Sequence, residues 1–186
     1  ARAKGIRILT GSAVIEARGS KHVTAARVAA IDVKAHTVTS PGEWLECDLV
    51  ASSGGYSPVV HLASHLGGKP IWREDILGFV PGEAPQKRVC VGGINGVYGL
   101  GDSLADGFEG GARAAAEAGF QTVEGVLPKA LSRLEEPTLA LFQVPHEKAT
   151  ARAPKQFVDL QNDVTAAAIE LATREGFESV EHVKRY

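Results

Sequence analysis

The run Cys47-Asp48-Leu49-Val50-Ala51-Ser52-Ser53-Gly54-Gly55-Tyr56-Ser57-Pro58 decides how the rest of the chain is read. Asp48 to Ser53 is a near-continuous apolar run of strand length, the pattern of a strand buried on both faces. Gly54-Gly55 stops it, and Pro58 stands where a first helical turn tolerates a residue without an N–H. A strand, a glycine pair and a helix in that order belong to an α/β sheet. A second passage of the same kind follows. Arg88-Val89-Cys90-Val91 reads as another buried strand halted by Gly92-Gly93, and Asn95-Gly96 leads towards a long helix, Asp102 to Ala118, that Gly119 stops. That helix is crowded with Gly and Ala, which lets its backbone approach a neighbour closely.

Upstream, Gly5 to Ala17 has the β-branched residues of one buried strand, with a break at Thr10-Gly11-Ser12. Val23 to Asp32 and Lys34 to Val38 alternate apolar with polar positions, and Ser40-Pro41-Gly42 is turn chemistry before Trp44-Leu45-Glu46. These predict a three-stranded β-meander. Between the two glycine passages, Val59 to Leu66 predicts a short helix ended by Gly67-Gly68, and Gly78 to Gly82 with Pro85 reads as loop. Downstream, Pro128, Pro137, Pro145 and Pro154 punctuate a connector over 127–154. Beyond it, Ala166 to Arg174 reads as a helix with Gly176 as its stop, and Ser179 caps the start of another. The organisation expected is therefore 1–126 as the C-terminal part of a dinucleotide-binding domain, 127–154 as linker, and 155–186 as the start of a small helical domain.

With 44% hydrophobic and 23% charged residues the chain has the composition of a globular protein. A formal net charge of -2 and the lack of any long Lys/Arg run argue against nucleic acid or an anionic membrane as partner. No apolar stretch approaches the ~20 residues that span a bilayer, so a cytoplasmic location is expected. The start at Ala1, without Met, suggests an excised or processed chain. Cys47 and Cys90 stand far apart and outside any zinc-type spacing, which predicts small core residues rather than a disulfide or a metal site.

The candidate binding residues are Gly54, Gly55, Gly92, Gly93, Asn95 and Gly96. Glycine lets phosphates approach the backbone, and unpaired N–H groups at a helix start favour an anion. Plain connectors in α/β sheets use the same turns, and the full G-x-G-x-x-G fingerprint is absent. Asp102 and Glu109 share a helix face, but an aspartate at a helix start reads first as a cap. His61 and His65 stand at i, i+4 without a third ligand, so no metal is expected. Ser52, Ser53 and Ser57 form no G-x-S-x-G elbow, which removes a serine hydrolase. Trp44 and Trp72 read as packing residues.

Taken together, Gly5-Ile-Arg-Ile-Leu-Thr-Gly, the meander, Cys47 to Pro58, and Val91-Gly-Gly before the Gly/Ala helix resemble the two-dinucleotide-domain flavoprotein fold, in a partial FAD/NAD(P)-binding form followed by a small helical segment. Phe157-Val-Asp-Leu-Gln-Asn-Asp-Val-Thr and Glu175-Gly-Phe-Glu-Ser-Val-Glu-His-Val-Lys-Arg-Tyr resemble the segment after the nucleotide domain in alpha subunits of heterotetrameric sarcosine oxidases. The resemblance covers essentially the whole chain. It implies a part in oxidative demethylation of sarcosine to glycine, with peroxide formed and the one-carbon unit passed to tetrahydrofolate. It also implies beta, gamma and delta partner subunits, NAD in the alpha subunit, and FMN and FAD in the whole complex, not held by this segment alone. No catalytic residue carries over. Gly93 is followed by Ile94 and Asn95 where the wider fold has a Gly-Asp that binds the flavin's ribityl chain, which favours NAD over FAD. Where cluster-bearing cousins have a C-x-C pair, this chain has Asp159 and Gln161, and neither replaces a thiolate. The alternatives are a subunit of an opine-, proline- or glycine-type amine dehydrogenase, and a non-catalytic assembly module.

Overall fold

The computed structural model describes residues 2–65, 67–122, 125–127, 129–130 and 138–185. Two compact units divide the chain, one joining Ala1–Ser52 to Ala140–Tyr186 and the other formed by Ser53–Leu139.

The first unit is built on one long strand. β1 (Ser12–Gly19) pairs antiparallel with β2 (Val23–Asp32), running from Ser12 opposite Ala30 to Gly19 opposite Val23. Along the other edge of β2 lie β3 (Thr37–Val38), with Ile31 opposite Val38, and β4 (Glu43–Glu46), with Ala25 opposite Glu46. Both of these short strands pair with β2 rather than with each other. The meander expected over residues 23 to 46 is thus corrected: β1 supplies a full strand, and Pro41-Gly42 interrupts the opposite edge. Gly42 sits at φ 72°, and a Cβ there would come within 3.0 Å of Val28 and Ala29, so the turn requires glycine. Ile15, Ala26 and Ala29 are buried, and the Arg18 guanidinium lies 3.6 Å from the Trp44 ring centroid.

The polypeptide from residue 140 onward belongs to the same unit. Pro145 is buried, and Arg27 on β2 donates to Glu147 Oε2 at 2.7 Å. β7 (Phe157–Asp159) and β8 (Val164–Thr165) form a small hairpin, followed by α3 (Ala166–Arg174) and α4 (Val180–Val183). Thr165 Oγ1 accepts from Ala168 N at 3.2 Å and caps α3, while Gly176 at φ 95° turns the chain after it. Ser179 holds the cap position of α4 as expected, but its side chain makes no capping bond.

In the second unit α1 spans only His61–Ser64, shorter than the helix read from Val59, and Leu66 lies outside the described residues. The segment read as loop from Gly78 holds a strand: β5 (Ile71–Arg73) pairs with β6 (Gly78–Val80), and Trp72 packs edge-on against Phe79 with ring centroids 5.1 Å apart. α2 runs Leu100–Glu117, two residues longer at its start than the sequence suggests. Its cap is therefore Gly99, not Asp102, which stands in the first turn. Pro128 and Pro137 of the expected connector lie outside the described residues.

Of the three expected buried strands two are absent as strands, and the one expected over Gly5 to Ala17 forms only from Ser12 onward, as β1. Gly5 to Leu9, Asp48 to Ser53 and Arg88 to Val91 join no ladder, and every ladder among the described residues is antiparallel. Leu49 is 74% exposed and Ile6 56%. A strand buried on both faces is held by hydrogen bonds to neighbours at its edges. No described strand pairs with these three, so their apolar residues have the composition of a sheet interior without the pairing.

Candidate functional site

The two glycine passages both fall in the second unit. Gly54 and Gly55 stand in an irregular segment before Pro58, with Gly55 at φ 93°, and a Cβ on either would meet nothing within 4 Å. The backbone there is open to close approach. Gly92–Asn95 instead form a 3-10 turn that Gly96 closes at φ 77°. Gly96 N donates to Gly93 O at 3.1 Å, and Val97 N to Gly92 O at 3.2 Å.

That turn is fixed from three directions. Asp106, on α2, accepts the Gly92 N–H at 2.6 Å. Asn95 Nδ2 donates to Cys90 O, and Arg73 Nη1 on β5 donates to Asn95 O at 2.8 Å. Arg73 is itself held by Asp75, whose carboxyl that hydrogen bond keeps below the ordinary aspartate value. α2 reaches this segment because Gly110 faces it: a Cβ at Gly110 would clash with Val91 and touch Val89. The small-residue helix therefore makes the close approach its composition predicts.

Sequence reasoning passed over the residues that join the passages. Tyr56 directly after Gly55 stacks on Tyr98, two residues after Gly96, with centroids 5.3 Å apart and ring planes at 29°. The structure thus brings together the Gly54-Gly55 segment and the Gly92–Gly96 turn through an aromatic pair. The available signal was an aromatic residue closely following each glycine passage. Asp106 and Arg73 left no such signal, because their roles depend on how α2 and β5 fold back.

The two passages differ in how open their backbone is. Gly54 and Gly55 leave room for a ligand's phosphates beside the backbone. At the second passage the Gly92 N–H is already engaged by the Asp106 carboxylate and the Asn95 amide by a carbonyl, so that turn forms a wall rather than a phosphate clamp.

The other candidates separate. Among the described residues no three His, Cys, Asp or Glu side chains gather as a metal site. His61 opens α1 and His65 follows its end. Cys47 and Cys90 are free and half-buried, in different units. Asp159 Oδ1 accepts from Gln161 N at 2.8 Å and Oδ2 from Asn162 Nδ2 at 2.7 Å, which shapes the β7–β8 turn and lowers the Asp159 pKa. No described helix is long and apolar enough to cross a membrane.

An α/β segment carrying glycine turns, followed along the chain by a small hairpin-and-helix module, is the class these observations define, and its tail identifies the module: residues 153–186 match the sarcosine oxidase A3 domain. The chain is 35% identical over 185 residues to the sarcosine oxidase alpha subunit of Corynebacterium sp. (strain P-1), covering 98% of this chain and 19% of that protein. It is 37% identical over 186 residues to the alpha subunit of Corynebacterium sp. (strain U-96), covering 98% and 19%. To the alpha subunit of Rhizobium meliloti (strain 1021) it is 37% identical over 148 residues, covering 77% and 14%. The chain is a member of the sarcosine oxidase alpha-subunit family, spanning about a fifth of the length of the Corynebacterium relatives.

Proposed function

We propose that this chain is the nucleotide-holding part of the alpha subunit of a sarcosine-oxidase-like complex, with residues 1–126 completing a dinucleotide-binding domain and 155–186 beginning a helical one. The observation that carries the reading is the Tyr56–Tyr98 stack, which sets two glycine-bearing segments side by side in a chain related to these subunits from end to end. Gly54 and Gly55 would receive the phosphates of NAD, while Gly92, Gly93, Asn95 and Gly96 would form the fixed wall of the site. NAD would supply a redox-active nicotinamide. What these residues do is bind and orient: the open glycines allow approach, and Asp106 and Arg73 keep the wall rigid.

In this reading the complex demethylates sarcosine oxidatively to glycine, forms peroxide, and passes the one-carbon unit to tetrahydrofolate, with flavin held elsewhere. The chain contributes no catalytic residue and works with beta, gamma and delta subunits in the cytoplasm. The test is to purify the complex containing the parent alpha subunit, denature it, identify the released nucleotides by mass spectrometry, and assay peroxide with sarcosine. NAD with sarcosine-dependent peroxide supports the reading. FAD on the alpha chain, or no response to sarcosine, replaces it with an opine- or proline-type amine oxidoreductase.

A second reading, as an assembly module, is favoured by the exposure of Leu49, Val59, Leu62 and Leu100, which are apolar side chains suited to a partner surface. Assembly of the subunits without bound nucleotide would support it.

A further inference from the structure

Asn95-Gly96, in the turn before α2, carries a chemical liability that the fold holds back. The chain has two asparagines: Asn95 is followed by glycine, Asn162 by Asp163. Asparagine is one of the thermolabile residues. Its side-chain carbonyl carbon is open to attack by the backbone nitrogen of the next residue, which closes a cyclic imide. A side chain on that next residue obstructs the approach and restricts its backbone, and glycine has neither restriction. Asn95 is therefore the asparagine in this chain whose neighbour leaves the reaction free.

The closed turn opposes that reaction through the bonds its atoms already make. Gly96 N, the attacking atom, donates to Gly93 O at 3.1 Å and must first give up this partner. Asn95 Nδ2 donates to Cys90 O, and swinging the side chain over Gly96 N breaks that bond as well. Two further contacts hold the turn shut: Arg73 Nη1 on Asn95 O at 2.8 Å and the Asp106 carboxylate on Gly92 N at 2.6 Å. The Ile76 side chain fills the space where a Gly96 Cβ would lie, which limits movement of the turn in that direction. Asn95 and Gly96 are half-buried, so water reaches them once the turn opens.

We propose that Asn95 is a modification site gated by the Gly92–Gly96 turn, deamidating when the turn opens and protected while it is closed. In the first step Gly96 N loses its proton and bonds to Asn95 Cγ, the Cγ–Nδ2 bond breaks, and Nδ2 leaves as ammonia. Water then opens the imide at either carbonyl and gives aspartate or isoaspartate, with no change of oxidation state. An ionised carboxylate only accepts hydrogen bonds, so the product loses its bond to Cys90 O and sets acceptor against acceptor. Isoaspartate also routes the backbone through the former side chain. Either product keeps the turn from closing as before, which makes the modification a one-way loosening of this segment. It requires no bound nucleotide and stands apart from the nucleotide reading.

The test incubates the complex containing the parent alpha subunit in mildly alkaline buffer, native and in guanidinium chloride. Peptide mass spectrometry then follows the amide-to-acid mass gain at Asn95 and Asn162 over time. In the denatured chain Asn95 should convert faster than Asn162. In the native complex its conversion should slow by roughly five- to a hundred-fold, the worth of the two hydrogen bonds that ring closure breaks. Asp106→Ala frees the Gly92 N–H and should speed native conversion at Asn95 about five- to ten-fold while leaving Asn162 unchanged. If that variant fails to fold, Arg73→Gln, which removes the bond to Asn95 O, makes the same comparison. Three outcomes overturn the proposal: equal rates at Asn95 in the native and denatured chains, no conversion at Asn95 in either, or no acceleration in a folded variant.

Discussion

Gly96 and Arg27 show how much single residues contribute to the two units. Gly96 combines a left-handed backbone at φ 77° with the Ile76 side chain where a Cβ would lie closer than 3.0 Å. Gly96→Ala should therefore lower stability by about 1–3 kcal/mol through backbone strain and overpacking, read as a fall in the denaturant midpoint. Arg27 links β2 to Glu147 at 2.7 Å and lies 3.5 Å from Glu16. Its hydrogen bond holds the Glu147 carboxyl below the ordinary glutamate value. The folded pKa is depressed relative to the unfolded chain, so the contribution is complete above the unfolded glutamate value of about 4.3. It declines as pH falls through the lower folded value. Glu147→Gln should remove that part of the acid sensitivity, measured as a shallower loss of thermal midpoint below about pH 4.3. Gly54, Gly55, Gly92, Gly93, Asn95 and Gly96 were legible as a set because glycine pairs stand out between apolar runs. Tyr56, Tyr98, Asp106 and Arg73 were not, because each acts through a partner distant in sequence.

At the scale of elements, the helices were easier to read than the strands. α3 was legible almost to the residue, from Ala166 to the Gly176 stop, because a helix satisfies its own backbone and its ends are marked locally. Thr165→Ala removes the cap bond to Ala168 and should cost about 1 kcal/mol, seen as lost helical circular dichroism and a lower midpoint. α2 depends on contact as well as on local chemistry. Gly110→Val would put side-chain atoms where Val91 and Val89 pack, so it should separate α2 from the segment before Gly92 and weaken the Asp106 bond. Amide exchange at Gly92 should then rise at least ten-fold, corresponding to about 1.4 kcal/mol of lost protection. The hairpin of β5 and β6 escaped sequence reading because Gly78 suggests a turn, although it opens a strand. Its pairing is set by the Trp72–Phe79 contact across the ladder.

At the scale of the whole molecule, the unpaired apolar runs dominate. Leu49 is 74% exposed, Ile6 56% and Ile8 44%, whereas the apolar residues of a strand inside a sheet are covered on both faces. Covering polypeptide in an assembled alpha subunit should therefore protect the unpaired runs. In hydrogen exchange, the amides of residues 6–9, 48–52 and 89–91 should exchange rapidly in this chain alone and slowly in an assembled alpha subunit. Equal rates in both would dismiss the role of these runs as sheet strands. The sequence by itself determined the positions of the glycine turns, the helical tail and the apolar character of the three runs, since these depend on local dihedral preference and patterning. Only the tertiary structure decided that β1 joins β2, that Tyr56 meets Tyr98, and that Asp106 occupies the Gly92 donor. A ladder, a ring stack or a buried hydrogen bond needs two segments at once, and patterning along one segment does not specify which partner it meets.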